Sequence, residues 1–341
     1  MVRNVAKAAA QRLYARWARL PLAEAVLLES FEAASTSGDP GIIAEYLLAE
    51  TDLPIIWALR GPAPINDRVR AVRYRSASYF KALATTKYLV NNVTFPALFA
   101  KRDEQVYLNT WHGTPLKKMG RDVDAPYSQI ANTVANLQAA DILLSSGDYM
   151  TKTMYDGAYG VTEGVVTMGT PRVDRQFGLD QDLVLYAPTW QEASYTHAVD
   201  DTDALAARVQ ALAQVGPVAL RVHSKLAAKA MADPRLRPYL IEGDTNELLG
   251  RARVLITDFS SVAFDYLATG SHVLFFTPDD YPRGVYLSDE ELPGPRTSSL
   301  EQLLEWVGQP PEVDLADQRE RFVPFEDGQA TRRVVRALLK A

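Results

Sequence analysis

Cysteine is absent from the 341-residue chain. That excludes disulfides and every cysteine-based zinc or iron–sulfur site. Histidine is scarce, with 4 in all, and no carboxylate–histidine spacing suggests a metal site, so neither a metal nor a cofactor is expected. No apolar run approaches the ~18 residues that would cross a bilayer. No signal peptide with a small-residue cleavage site is visible either, so a cytoplasmic location is expected. A surplus of positive charge is missing as well: the formal net charge is −6, which offers no general field for nucleic acid. Internal repeats, low-complexity tracts, a P-loop and a Gly-x-Gly-x-x-Gly fingerprint are all lacking.

The composition is that of a folded globular chain, 47% hydrophobic and 23% charged, and its length suits two domains. Charge is unevenly spread. The first twenty residues carry Arg3, Lys7, Arg12, Arg16 and Arg19 without an acidic residue, while Val2, Val5, Ala9, Leu13, Trp17 and Leu20 recur at helical spacing. Two readings fit: a helix lying on an anionic membrane surface, or a basic helix docked on its own domain.

Beyond that segment, short apolar runs alternate with turn residues and helical stretches. Runs at 25–28, 55–59, 88–91, 105–109 and 142–145 in the first half, and 183–186, 218–222, 254–257 and 273–276 in the second, suit buried parallel strands. Pro40 near a helix start suits a helix reaching about residue 49. The expected domains are 1–24 (basic helix), 25–175 and 176–341, with Gly169 to Leu179 as the linker. The final helix, from Gln329 to Leu339, either closes the second domain or crosses back to the first.

Four stretches could carry chemistry. In Trp111-His112-Gly113-Thr114-Pro115-Leu116-Lys117, the histidine follows a strand, where α/β folds present ligands. Its unperturbed pKa of ~6.5 lets it take a proton from a hydroxyl near neutral pH. In Tyr186-Ala187-Pro188-Thr189-Trp190, Thr189 offers a hydroxyl at a strand end, and Trp190 suits either a base stack or the core. In Leu220-Arg221-Val222-His223, two residues apart on one strand would share a face, so Arg221 and His223 could converge on a pyrophosphate. In Thr257-Asp258-Phe259-Ser260-Ser261, an apolar strand runs into two serines, either of which could cap a helix whose free N–H groups bind phosphate. His197 and His272 have no partner pattern and are read as structural or solvent-exposed.

With these stretches the chain resembles the CDP-glycerol glycerophosphotransferase family, which includes teichoic-acid primases and polymerases and related capsule polymerases. The likeness also runs through Leu28 to Phe31, Gly169-Thr170-Pro171-Arg172-Val173-Asp174, residues 292–295 and residues 325–334. It implies an α/β fold of the GT-B type, with two Rossmann-like domains whose parallel sheets face a central cleft. It also implies transfer of a polyol phosphate from CDP-glycerol or CDP-ribitol to a lipid-linked or glycan acceptor, with release of CMP. His112 would then be the general base. His223 with Arg221 would hold the donor pyrophosphate, and Gly113, Thr114, Thr189, Asp258, Ser260 and Ser261 would line the donor site. Gln191-Glu192 and Ser224-Lys225 depart from the family's usual residues beside that site, which leaves the polyol open. The rival readings are a nucleotide-sugar glycosyltransferase on the same fold, or a non-catalytic membrane-associated scaffold.

Overall fold

The computed structural model describes residues 2–61, 68–189, 202–222, 224–270, 272–277 and 284–341, and at 2–7 and 224–225 only the backbone. Trp190, Gln191, Glu192, His197 and His223 lie outside the described residues. The chain forms two compact units. One comprises Met1–His112, Gly120–Asp174 and Gln329–Ala341; the other comprises Gly113–Met119 and Arg175–Gly328.

The first unit is built on seven strands: β1 (Ala23–Glu29), β2 (Ile55–Leu59), β3 (Val69–Arg73), β4 (Thr86–Asn91), β5 (Val106–Asn109), β6 (Ile142–Ser145) and β7 (Val165–Thr167). They pair in the order β3-β2-β1-β4-β5-β6-β7, every pair parallel. Helices cover both faces, so the central strands are buried on each side and read as unbroken apolar runs. All of β2 and all of β6 are buried. The runs at 55–59 and 142–145 form strands with those bounds. Strands β3 and β7 were not legible, since β3 is an arginine-rich edge strand and β7 is three half-buried residues.

The last helix, Ala330–Lys340, belongs to this first unit. Val334, Val335 and Leu338 enter the core beside Ile43 and Leu47 of the helix Gly38–Glu50. Each fully buried aliphatic side chain of this kind contributes roughly 1.5–3 kcal/mol. Pro40 is the third residue of the helix Gly38–Glu50, within its first turn, where a missing N–H is tolerated. The N-terminal helix Val2–Trp17 packs on the helix Ala77–Thr85. Its Tyr14 is buried, with the hydroxyl donating to the Ala100 carbonyl at 3.3 Å, while Arg12, Leu13, Arg16, Arg19 and Leu20 remain exposed.

The second unit carries five strands, β8 (Leu183–Ala187), β9 (Val218–Leu220), β10 (Ala252–Thr257), β11 (His272–Phe276) and β12 (Arg296–Thr297), in the order β12-β11-β10-β8-β9. All pairs are again parallel. β9 ends at Leu220, short of the expected 218–222, although the Arg221 N–H still donates to the Tyr186 carbonyl at 2.9 Å. Val222 is followed by the helix Ser224–Ala232, which turns the chain away before a longer strand can form.

Both sheets reverse their winding direction, between β1 and β4 in the first and between β8 and β10 in the second. Loops leaving the carboxyl ends on either side of such a point diverge and open a crevice for ligands. Among the described residues, no helix is long and apolar enough to cross a membrane.

Candidate functional site

In the first unit the reversal point is occupied by the loops after β1 and β4, with the loop after β5 beside them. The Asn92 side chain ties two of these together, accepting from the Phe31 N–H at 2.8 Å and donating to the Ser30 hydroxyl at 3.1 Å. The Asn92 carbonyl meets His112 Nδ1 at 2.8 Å. A carbonyl can only accept, so Nδ1 carries the proton and Nε2 keeps its lone pair. The ring stacks on Trp111 with centroids 4.6 Å apart, and Phe31 meets it edge-on at 6.2 Å. Trp111 is itself buried and held in the left-handed region at φ 51°, with its N–H donating to Asn109 Oδ1 at 2.9 Å. Tyr159, on the π-helix Thr151–Tyr159, braces Trp111 from the side at 5.8 Å.

Although the His112 ring reaches solvent, partial loss of hydration lowers its pKa below 6.5; the Asn92 carbonyl works against this and the Arg172 charge reinforces it. Arg172 is fixed by Asp39, through its backbone N–H at 2.8 Å and its guanidinium at 2.6 Å, both residues being buried. An ionised pair taken out of water persists only with such complete partnering. The histidine is therefore neutral near pH 7, in the tautomer that presents Nε2 as an acceptor.

The second unit's reversal point is spanned by one pair of residues. Asp258, just past β10, accepts from the Thr189 N–H at 3.0 Å and from the Thr189 hydroxyl at 2.7 Å, and Thr189 follows β8. Burial raises the Asp258 pKa, while Thr189 and the Lys117 charge pull it down. Lys117 arrives on the segment Gly113–Met119, which joins this unit through the Lys117–Val285 bridge, a Lys118 N–H bond to the Gly284 carbonyl at 3.2 Å, and a Met119 N–H bond to the Tyr286 hydroxyl at 3.1 Å.

Gly113 sits against Ser261. A Cβ added there would lie 2.5 Å from Ser261 Oγ and 2.8 Å from its Cβ, and the backbone is at φ 154°. Only glycine fits such an approach. Thr114 is buried in the same segment. The helix after Ser261 is short, Val262–Tyr266. Ser261 occupies the cap position without a side-chain bond, while Ser260 Oγ accepts from the Val262 N–H at 3.4 Å.

The structure thus brings Gly113 to Ser261 and Thr189 to Asp258, and places Arg221 at the end of β9, the neighbour of β8. His112 lies in the first unit, bonded to Asn92. Sequence reasoning missed Asn92, Arg172, Asp39 and Lys117. Arg172 and Lys117 stand inside motifs quoted above, whereas Asn92 and Asp39 carry no signal until the loops are folded together. Among the described residues, no group of three or more His, Asp or Glu is arranged to hold a metal ion.

The sequence model described as CDP-Glycerol:Poly(glycerophosphate) glycerophosphotransferase matches residues 13–340. The chain is 28% identical to the teichoic acid glycerol-phosphate transferase of Staphylococcus aureus, covering 94% of each chain. It is 27% identical to the teichoic acid poly(glycerol phosphate) polymerase of Bacillus subtilis over 96% of this chain but only 50% of the polymerase. A solved structure of the wall teichoic acid polymerase TagF superposes with a TM-score of 0.82 at 23% identity, covering 99% of this chain and 95% of that one. The fold class is thereby the GT-B type, with two Rossmann-like domains.

Proposed function

The chain belongs to the CDP-glycerol:poly(glycerophosphate) glycerophosphotransferase family, and from that premise we propose that it transfers glycerol phosphate from CDP-glycerol to a hydroxyl of a teichoic-acid-type acceptor, releasing CMP. The observation that carries the mechanism is the His112 Nδ1 bond to the Asn92 carbonyl. It leaves Nε2 unprotonated and fixed in direction, which is what a general base for an acceptor hydroxyl requires. The depressed pKa of His112 keeps that nitrogen free at neutral pH.

Donor binding falls to Gly113, Thr114, Thr189, Asp258, Ser260 and Ser261, with Arg221 and His223 neutralising the pyrophosphate and easing departure of CMP. Asp258 serves by orienting the Thr189 N–H and hydroxyl, and the glycine at 113 lets backbone come close to Ser261. Phosphoryl transfer needs mainly positioning and charge stabilisation, and these residue types supply both without a covalent intermediate.

The enzyme works in the cytoplasm, peripheral to the inner face of the membrane. Exposed Arg12, Arg16 and Arg19 beside exposed Leu13 and Leu20 support that placement, since basic and apolar groups together favour an anionic lipid surface.

Incubation of the purified chain with CDP-glycerol or CDP-ribitol and a lipid-linked acceptor tests the proposal. CMP release with CDP-glycerol, abolished by His112→Ala, is expected. Turnover of a UDP- or GDP-sugar with none of either CDP-polyol would overturn it.

A further inference from the structure

Among the described residues, five non-glycine residues have a left-handed backbone: Phe31, Glu32, Ala33, Arg75 and Trp111. Conformations of this kind cost free energy and persist where surrounding structure imposes them, commonly at sites of function. Trp111 precedes His112 and Phe31 touches it, which accounts for part of the set. The others surround a second cluster at the carboxyl ends of β1, β2 and β3, which the mechanism leaves unused.

At its floor is Glu29, the last residue of β1. One carboxylate oxygen accepts from the Tyr79 hydroxyl at 2.5 Å, and the other is buried with no hydrogen-bond partner. Arg60 follows β2 and Arg75 follows β3, and both guanidinium groups lie over the Tyr74 ring, at 4.9 and 5.2 Å from its centroid. Arg60 is anchored by its Nε to the Glu32 carbonyl at 2.8 Å and by one terminal nitrogen to the Glu32 carboxylate at 3.0 Å, which leaves its other terminal nitrogen to a ligand. Arg75 is exposed and has no ion-pair partner among the described residues. Burial raises the Glu29 pKa to about 8, so its carboxyl is neutral near pH 7 and the cluster carries a net positive charge. Two forked guanidiniums packed on one aromatic ring suit a phosphodiester, and the buried Glu29 carboxyl lies behind them without adding negative charge.

We propose that Arg60, Arg75 and Tyr74, with Glu29 below them, form a distal acceptor subsite that holds a phosphodiester of an already extended polyol-phosphate chain, behind the hydroxyl that reacts. This rests on the glycerophosphotransferase reading above. In the strand order, β2 lies three places from β5, the strand that leads to His112. At ~4.8 Å per strand the separation is about 14 Å. That span exceeds a single polyol phosphate, so the subsite is reached only by acceptors already carrying more than one repeat. Its consequence is a preference for longer acceptors, carried by the first unit.

The test measures kcat/KM of the full chain with CDP-glycerol and acceptors bearing one, two or four glycerol phosphate repeats on the same carrier, for wild type, Arg60→Gln/Arg75→Gln and Arg75→Lys. The wild-type advantage of four repeats over one is expected to fall about tenfold in the double variant, equivalent to ~1.4 kcal/mol, and to be partly kept by Arg75→Lys. Binding of a free four-repeat glycerol phosphate oligomer, followed by NMR without donor, should weaken in parallel. This arm needs no turnover and so separates failure of the subsite from failure of the enzymatic reading. An unchanged length preference, or a loss equal for all three acceptors as a carrier pyrophosphate would give, overturns the proposal. So does oligomer binding that the double variant leaves intact.

Discussion

Gly113 and Ser261, distant in sequence, approach so closely that a single added carbon would meet the serine hydroxyl at 2.5 Å. The contact explains why a glycine follows His112. The histidine completes the first unit, and the next residue already belongs to the second. One short motif therefore serves two sheets, and its glycine is the point of transfer.

Gly113→Ala should destabilise the protein by about 1–3 kcal/mol, because the new methyl group must push Ser261 aside in an unfavourable backbone region. Ser261→Gly in the same chain removes both clashing atoms and should restore part of that loss. Urea denaturation of the two single variants and the double variant measures the coupling. Additive losses would show that the contact is not the cause.

The pH dependence of turnover should report His112. Its folded pKa lies below the ordinary 6.5, so the base is protonated, and kcat/KM falls, only as pH drops through a value lower than 6.5. The sign for stability is the same: an imidazole that resists protonation when folded destabilises the fold as pH falls into that range. Arg172→Met removes the neighbouring positive charge and should move the acid limb of the kcat/KM profile upward. The same change removes the guanidinium that neutralises the buried Asp39 carboxylate, leaving it the backbone N–H of residue 172, and should cost about 3 kcal/mol, so the profile is measured at a temperature where the variant is folded.

Glu29 gives the opposite stability profile. Its folded pKa is about 8 against 4.5 in the unfolded chain, so between those values the native state holds a proton that the unfolded state has lost. Stability from this group therefore declines as pH rises through that window, by up to ~1.4 kcal/mol per pH unit. Glu29→Gln is uncharged throughout and should gain on wild type progressively from pH 5 to pH 8 in urea denaturation. A difference independent of pH would contradict the assignment.

Asp174 should prove a helix cap supplied from far along the chain. It accepts from the Ala330 N–H at 2.9 Å, the Thr331 N–H at 2.7 Å and the Thr331 hydroxyl at 2.6 Å. Asp174→Ala leaves the two N–H donors without their acceptor, while the Thr331 hydroxyl keeps the Pro171 carbonyl at 3.4 Å, and should cost roughly 1–2 kcal/mol. Faster amide exchange over the helix Ala330–Lys340 than over β1 would localise the effect, and uniform acceleration would refute it.

Much was legible because it is local. The apolar runs at 55–59 and 142–145 are strands with those bounds, since a strand buried on both faces must be apolar throughout. Family membership, too, is written in ordered short motifs, and the match spans residues 13–340. The edge strand β3 escaped because exposed arginines interrupt its pattern, and β9 ended early because a helix begins at Ser224.

The sequence by itself determined the fold class, the family and the placing of His112, Thr189 and Asp258 at the ends of strands, because spacing and residue type are properties of the chain alone. Tertiary structure alone decided that the last helix joins the first unit, that Asp174 caps it, and which histidine nitrogen is free. Those depend on which carbonyl, carboxylate or apolar face arrives from elsewhere in the chain, and no local pattern encodes a partner that distant.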